Sequence, residues 1–162
     1  MIGSTYKKFA SERGLKTTKG VAYGSLSGYP ATLCEGNGWK RITLTCRIGS
    51  EAQSKLHAGI DQRNILKEFR VKQLDINGNG ADIVFLDNPG TMKKIVAFLD
   101  WFLPLMDEAG ASGLDVCVEC GNALTDGKWK LINGEAFFLH EACAQRIARE
   151  AEAQKQEQGD CG

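Results

Sequence analysis

Cys117, Cys120, His140 and Cys143 stand in the pattern C-x2-C-x19-H-x2-C. Three thiolates and an imidazole are the soft and borderline donors that suit tetrahedral zinc. Four protein ligands leave no open coordination position, so the expected ion is structural and generates no zinc-bound water nucleophile. Two blander readings compete. A buried thiol pair beside a satisfied core histidine would leave a segment of ~45 residues without enough core to fold, a lack that metal usually remedies. A redox C-x-x-C normally opens a helix after a strand, and it would leave His140 and Cys143 unexplained. Gly121, after the second cysteine, lets the chain turn tightly around a metal.

The remaining reactive residue types point to no reaction. His57 falls on a predicted helix with no cysteine or acidic partner at a diagnostic spacing and reads as a surface or satisfied histidine. Cys34 and Cys46 fall on neighbouring predicted strands, where small apolar core residues are the plain explanation. Cys161 follows the polar run from Gln154 to Gln158 and should be exposed and oxidisable. There is no P-loop, G-x-S-x-G or H-E-x-x-H. The expectation is a chain without catalytic residues, with Zn2+ as its one cofactor. Six cysteines in a secreted chain would suggest three disulfides, whereas zinc-ligand spacing implies a reducing, cytoplasmic setting.

The elements that must hold the metal follow from local pattern. Lys128 to Leu139 alternates around Asn133-Gly134 as a hairpin, and His140 then opens a helix through roughly Glu152. A knuckle, a hairpin and a helix carrying the last two ligands resemble a treble-clef zinc finger. LIM-type fingers share the H-x2-C ending, but with a single finger no LIM function carries over.

Upstream, Ser4 or Thr5 can cap a short helix with Tyr6, Phe9 and Ala10 on one face and Gly14 as its stop. Strands are predicted at Val21–Ser27, Ala31–Glu35 and the alternating run of Ile42, Leu44, Cys46 and Ile48, with Asn37-Gly38 as a type I′ turn. Ser50 and Gln53 form a capping-box pattern ahead of an apolar stripe through Phe69 that Gly59 interrupts. Val71–Ile76 and Ala81–Leu86 flank Asn77-Gly78-Asn79-Gly80 as a second hairpin, and Thr91–Ala109 is an apolar-striped helix ended by Gly110. The predicted class is α+β: a five-stranded antiparallel sheet backed by helices in the order α-β-β-β-α-β-β-α, followed by the finger. That order over Thr5 to Ala109 resembles the type III secretion chaperone-like fold, and the resemblance implies a domain that binds protein segments. Ala111-Ser112-Gly113 reads as a linker, which divides the chain into residues 1–110, an α+β binding domain, and 111–162, the finger with a polar tail.

Charge and hydropathy limit the partners. The chain has 20 basic and 20 acidic side chains, so no global field draws it to nucleic acid or an anionic membrane. Residues 111–162 hold 5 basic and 9 acidic side chains, a balance that would repel phosphate. Nucleic acid is therefore the second reading, with Lys40, Arg41 and Arg47 beside Trp39 as its contacts. The longest apolar stretch, Ile95 to Met106, is too short for a membrane span, which needs ~20 residues. Phe98, Trp101 and Leu105 form a second apolar face on the last long helix of the first domain. It must be buried against other helices, a second copy or a protein partner, each large side chain gaining ~1.5 to 3 kcal/mol. The leading expectation is a cytoplasmic, non-enzymatic adaptor or chaperone-like interaction protein.

Overall fold

A computed structural model describes residues 3–18, 20–113, 128–132, 135–139 and 141–154. Helix α1 (Ser4–Glu12) leads through β1 (Lys16–Thr17) into a meander of β2 (Ala22–Leu26), β3 (Tyr29–Gly36) and β4 (Trp39–Arg47). Helices α2 (Ser50–Asp61) and α3 (Ile65–Phe69) precede the hairpin β5 (Val71–Asn77) and β6 (Gly80–Leu86), and α4 (Thr91–Ala109) follows. The path order is β1-β2-β3-β4-β6-β5, every pairing antiparallel. The second hairpin thus docks through β6 against β4 and leaves β5 at the edge.

The class is α+β with a helix-backed antiparallel sheet, but the sheet has seven strands among the described residues rather than the expected five. The two extra strands are two-residue ladders that no alternation could announce. One is β1. The other, β7 (Ser112–Gly113), lies in the tract read as a linker and pairs with Cys46 and Arg47 at the end of β4.

Alternation decides what each face carries. Lys40, Ile42, Leu44 and Cys46 of β4 point to the helices, as do Ala31 and Leu33 of β3 and Ala81, Ile83 and Phe85 of β6. Against them pack Tyr6, Phe9 and Ala10 of α1, Leu56 of α2 and Ile95, Phe98, Leu99 and Phe102 of α4 in one buried cluster. Burial of these large side chains at ~1.5–3 kcal/mol each is what holds the layers together.

Helix limits follow local chemistry with two departures. The N-caps of α1 and α2 are Gly3 and Gly49, one residue before the expected Ser4 and Ser50. Gln53 uses its amide to bond the Ile48 carbonyl at 2.9 Å instead of closing a capping box. The apolar stripe breaks at residues 62–64, where Asn64 caps α3 by accepting the Lys67 N–H at 3.1 Å. Gly59 stays inside α2.

The type I′ turn is not where the Asn-Gly dipeptide suggested. Such a turn needs positive φ at both central residues. Ser27 and Gly28, between β2 and β3, have φ of 50° and 87°, whereas at Asn37-Gly38 only the glycine is positive.

Gly80 is the tightest point in the sheet. Its φ is +141°, and a Cβ there would stand 1.9 Å from the Leu44 carbonyl oxygen on the paired strand. Gly80→Ala should cost about 3 kcal/mol or more, since neither backbone can yield without losing ladder bonds. Gly14→Ala meets nothing within 4 Å at φ +77°. It should cost only about 1–2 kcal/mol. Urea unfolding of the two variants checks the contrast, and equal losses would show that the ladder at Gly80 relaxes freely.

Candidate functional site

The hairpin and helix expected after residue 127 are present as β8 (Lys128–Ile132), β9 (Glu135–Leu139) and α5 (Glu141–Gln154). Helix α5 packs on β8, and β9 runs beside β3 of the main sheet. Cys143 sits half-buried in the first turn of α5, where a hairpin-to-helix transition would present a ligand. Cys117, Cys120 and His140 lie outside the described residues. Among the described residues no group of three or more histidine, cysteine or acidic side chains is placed to hold a metal. The fit to zinc therefore rests on the chemistry of the donor set and on the place of Cys143.

Cys34 and Cys46 do not share a role. Cys46 is on the core face and carries no disulfide, and burial pushes its thiol up to about 11, far from the thiolate a nucleophile needs. Cys34 pairs with Arg41 in register on the opposite face, and it is buried and disulfide-bonded. The expectation that Cys34 is a plain core thiol is corrected on this point.

Of the residues proposed to meet phosphate, Lys40 faces the wrong way. The period of two that sends Arg41 outward turns Lys40 into the core, where it is 6% exposed. Its ammonium donates to Glu35 at 2.6 Å and Asp87 at 3.0 Å and lies over the Tyr6 ring at 5.1 Å. Glu35 also accepts the Gly3 N–H at the start of α1. Burial opposes the charge on Lys40, but hydrogen bonds to Glu35 and Asp87 and their negative charges outweigh it and hold the pKa above 10.5. An amine so held is protonated and cannot act as a nucleophile or base near neutrality. Tyr6 donates to the Arg41 carbonyl at 2.7 Å, and its own pKa is raised by burial and by the charges of Glu35 and Asp87. Arg41 is clamped on Asp82 by two bonds of 2.6 and 2.7 Å.

The surplus apolar face of α4 is covered from within. Phe98 is fully buried, Trp101 stacks on Phe69 of α3 at 5.5 Å, and Leu105 fills the space over Gly59 of α2, where an added Cβ would approach it to 3.1 Å. Arg63 closes this stack, 5.0 Å from the Trp101 ring and bonded to Glu68 at 2.9 Å. Of the three covers expected for this face, other helices, a second copy or a protein partner, the structure shows the first.

The open surface lies elsewhere. Between α2–α3 and the edge strand β5 runs a groove of about 790 Å3, lined by Ile60, Ile65, Leu66, Leu74 and Ile76 with His57, Asp61 and Lys72 among its polar members. Leu66 is 53% exposed, the one large hydrophobic so exposed among the described residues. Strand β5 pairs only with β6 among the described residues, so its other side presents backbone donors and acceptors. No sequence signal marked this groove, because it joins a strand edge to a helix pair that precedes it in the chain. Among the described residues no helix is long and apolar enough to cross a membrane. The chain matches no protein-family model, and no curated protein or solved structure is significantly similar to it.

Proposed function

We propose that this protein is a non-enzymatic, cytoplasmic protein-interaction module, of adaptor or chaperone-like type. In this reading its C-terminal segment is a treble-clef finger stabilised by zinc on Cys117, Cys120, His140 and Cys143, and the ion organises structure without supplying chemistry. The observation that carries the reading is the open edge of β5 beside an apolar groove, with Leu66 left 53% exposed at its rim. A strand added to such an edge gains main-chain hydrogen bonds, and side chains at alternate positions enter the groove. Lys40 and Arg41, the cations nearest Trp39, are each engaged by carboxylates, which weighs against their meeting phosphate.

A photo-crosslinking residue placed at Leu66, compared in the host cell with one at the exposed Glu12, tests the reading. Protein adducts at Leu66 that are absent at Glu12 are the expected outcome. Nucleic-acid adducts, or none above the control, would overturn it.

A further inference from the structure

The core cluster does not account for every buried apolar side chain. Among the described residues, Val21, Cys34 and Leu139 are buried but stand outside the cluster that the helices form with the sheet. Two of them share one place. Ala22 and Leu33 are paired and belong to the cluster, so one residue further along the same register Val21 falls opposite Cys34, and both point to the outer face. Pro30, at an outward position of β3, is buried as well. Helices α1 to α4 all pack into the cluster on the inner face and cannot bury these side chains.

The third residue points to what does. Leu139 ends β9, and β9 runs beside β3, the strand that carries Pro30 and Cys34. Strands β8 and β9 form a sheet of their own, while β3 is already flanked by β2 and β4. Strand β9 therefore meets β3 across a face rather than along an edge, and the inner face is filled. The chain is also held where it can reach the outer one. Tyr29 donates to the Asp107 carboxylate and to the Ala111 carbonyl at 3.4 Å, and β7 pairs with Cys46 and Arg47 at the end of β4. A Cβ on Gly113 would come within 2.5 Å of the Gly28 carbonyl oxygen. The chain leaving α4 is thus fixed at the rim of the sheet, between the helix layer and the outer face.

We propose that the hairpin β8–β9 is an intramolecular cover seated on the outer face of the sheet, with Leu139 over Val21 and Cys34, and that it closes this face to other molecules while it is in place. This face lies apart from the β5 groove, and its closure does not depend on whether that groove binds protein. Around the apolar anchor the face is polar. Thr32, Thr43 and Asp82 stand in register across β3, β4 and β6, and Arg41 is paired with Asp82. A small apolar centre in a polar surround resembles the contacts between domains that move, not the large apolar interfaces that lock them. Lifting the hairpin bares Val21, Pro30 and Cys34, so the outer face is open to a partner only in the lifted form.

A photo-crosslinking residue at Thr32 of the intact chain, compared with one at the exposed Lys55 of α2, tests where the hairpin sits. Thr32 should link within the same molecule to residues 128–139, and Lys55 should not. Links from Thr32 only to other parts of the chain, or none, would overturn the proposal. Hydroxyl-radical footprinting tests the closure. Leu139→Asp forces a charge into the buried contact and should raise labelling of Val21 and Pro30 severalfold, while Ile42 and Leu44 of the core stay protected. Amide exchange in β2 to β6 shows whether the variant keeps its fold. Unchanged labelling of Val21 and Pro30 in the folded variant would overturn the proposal, and where the variant does not fold the crosslink at Thr32 decides alone.

Discussion

Protein prepared with reductant and without chelator is expected to carry one zinc ion per chain, and its removal should unfold the C-terminal segment while leaving the sheet intact. Metal binding and folding are coupled in small fingers because the thiolates repel one another without the cation, and the ion contributes of order 10 kcal/mol. Little else can replace that in a short hairpin and a helix with Ile147 as its main large apolar residue. The first domain has its own buried cluster from α1 through α4, so chelation should leave exchange protection in β2 to β6 unchanged. Amides in β8, β9 and the first turns of α5 should lose theirs. Elemental analysis finding no stoichiometric metal would reject the site. Cys120→Ser should lower metal content, whereas Cys161→Ser should not.

What could be read from the sequence followed how locally each feature is encoded. Helix α4 runs from Thr91 to Ala109 with a left-handed Gly110 behind it, as its apolar stripe and terminal glycine dictate. The five longer strands lie where the period of two put them, because alternation is a property of each strand alone. Features made by two distant segments were not legible. Nothing in Ser112-Gly113 announces a ladder with Cys46 and Arg47. The surplus face of α4 was plain in Phe98, Trp101 and Leu105, but whether it meets Phe69 and Gly59 or another molecule is decided by how α2–α3 fold back. Lys40 departs from its expected exposed place for a different reason. Its parity with Ile42 and Leu44 put it in the core from the outset, yet a lysine is so rarely buried that its charge outweighed its phase. Only the positions of Glu35 on β3 and Asp87 after β6 explain how the core tolerates it.

The same cluster sets the second large expectation. Lys40 and Glu35 have side chains only 8% and 12% exposed, so removing one partner strands a buried charge. Glu35→Ala should therefore cost about 3–5 kcal/mol, as breaking other buried pairs does. It also removes the acceptor for Gly3 at the start of α1. Asp87, whose side chain is 34% exposed, should matter less, with Asp87→Asn costing about 1 kcal/mol. Replacing both members of the inner pair, as Glu35→Leu with Lys40→Met, removes the charges together and should cost less than the sum of the two single changes. Additive losses in urea unfolding would mean the two side chains do not act as a pair.

The pH dependence carries a definite sign. Lys40 has a folded pKa raised above its ordinary 10.5, so its contribution is complete below that value and is lost as pH rises through the higher folded one. Tyr6 shifts in the same direction from 10.0, because the unfolded chain ionises its phenol first. Cys46 begins the decline, since its thiol titrates near 9.0 when unfolded and about 11 when folded. That difference corresponds to about 3 kcal/mol over the interval. Stability should thus fall continuously from about pH 9 upward, with Cys46→Ala flattening the first part of the fall and Lys40→Met the part above 10.5. A urea midpoint that stays level to pH 11 would mean these groups reach water in the folded protein and the core does not hold them as described.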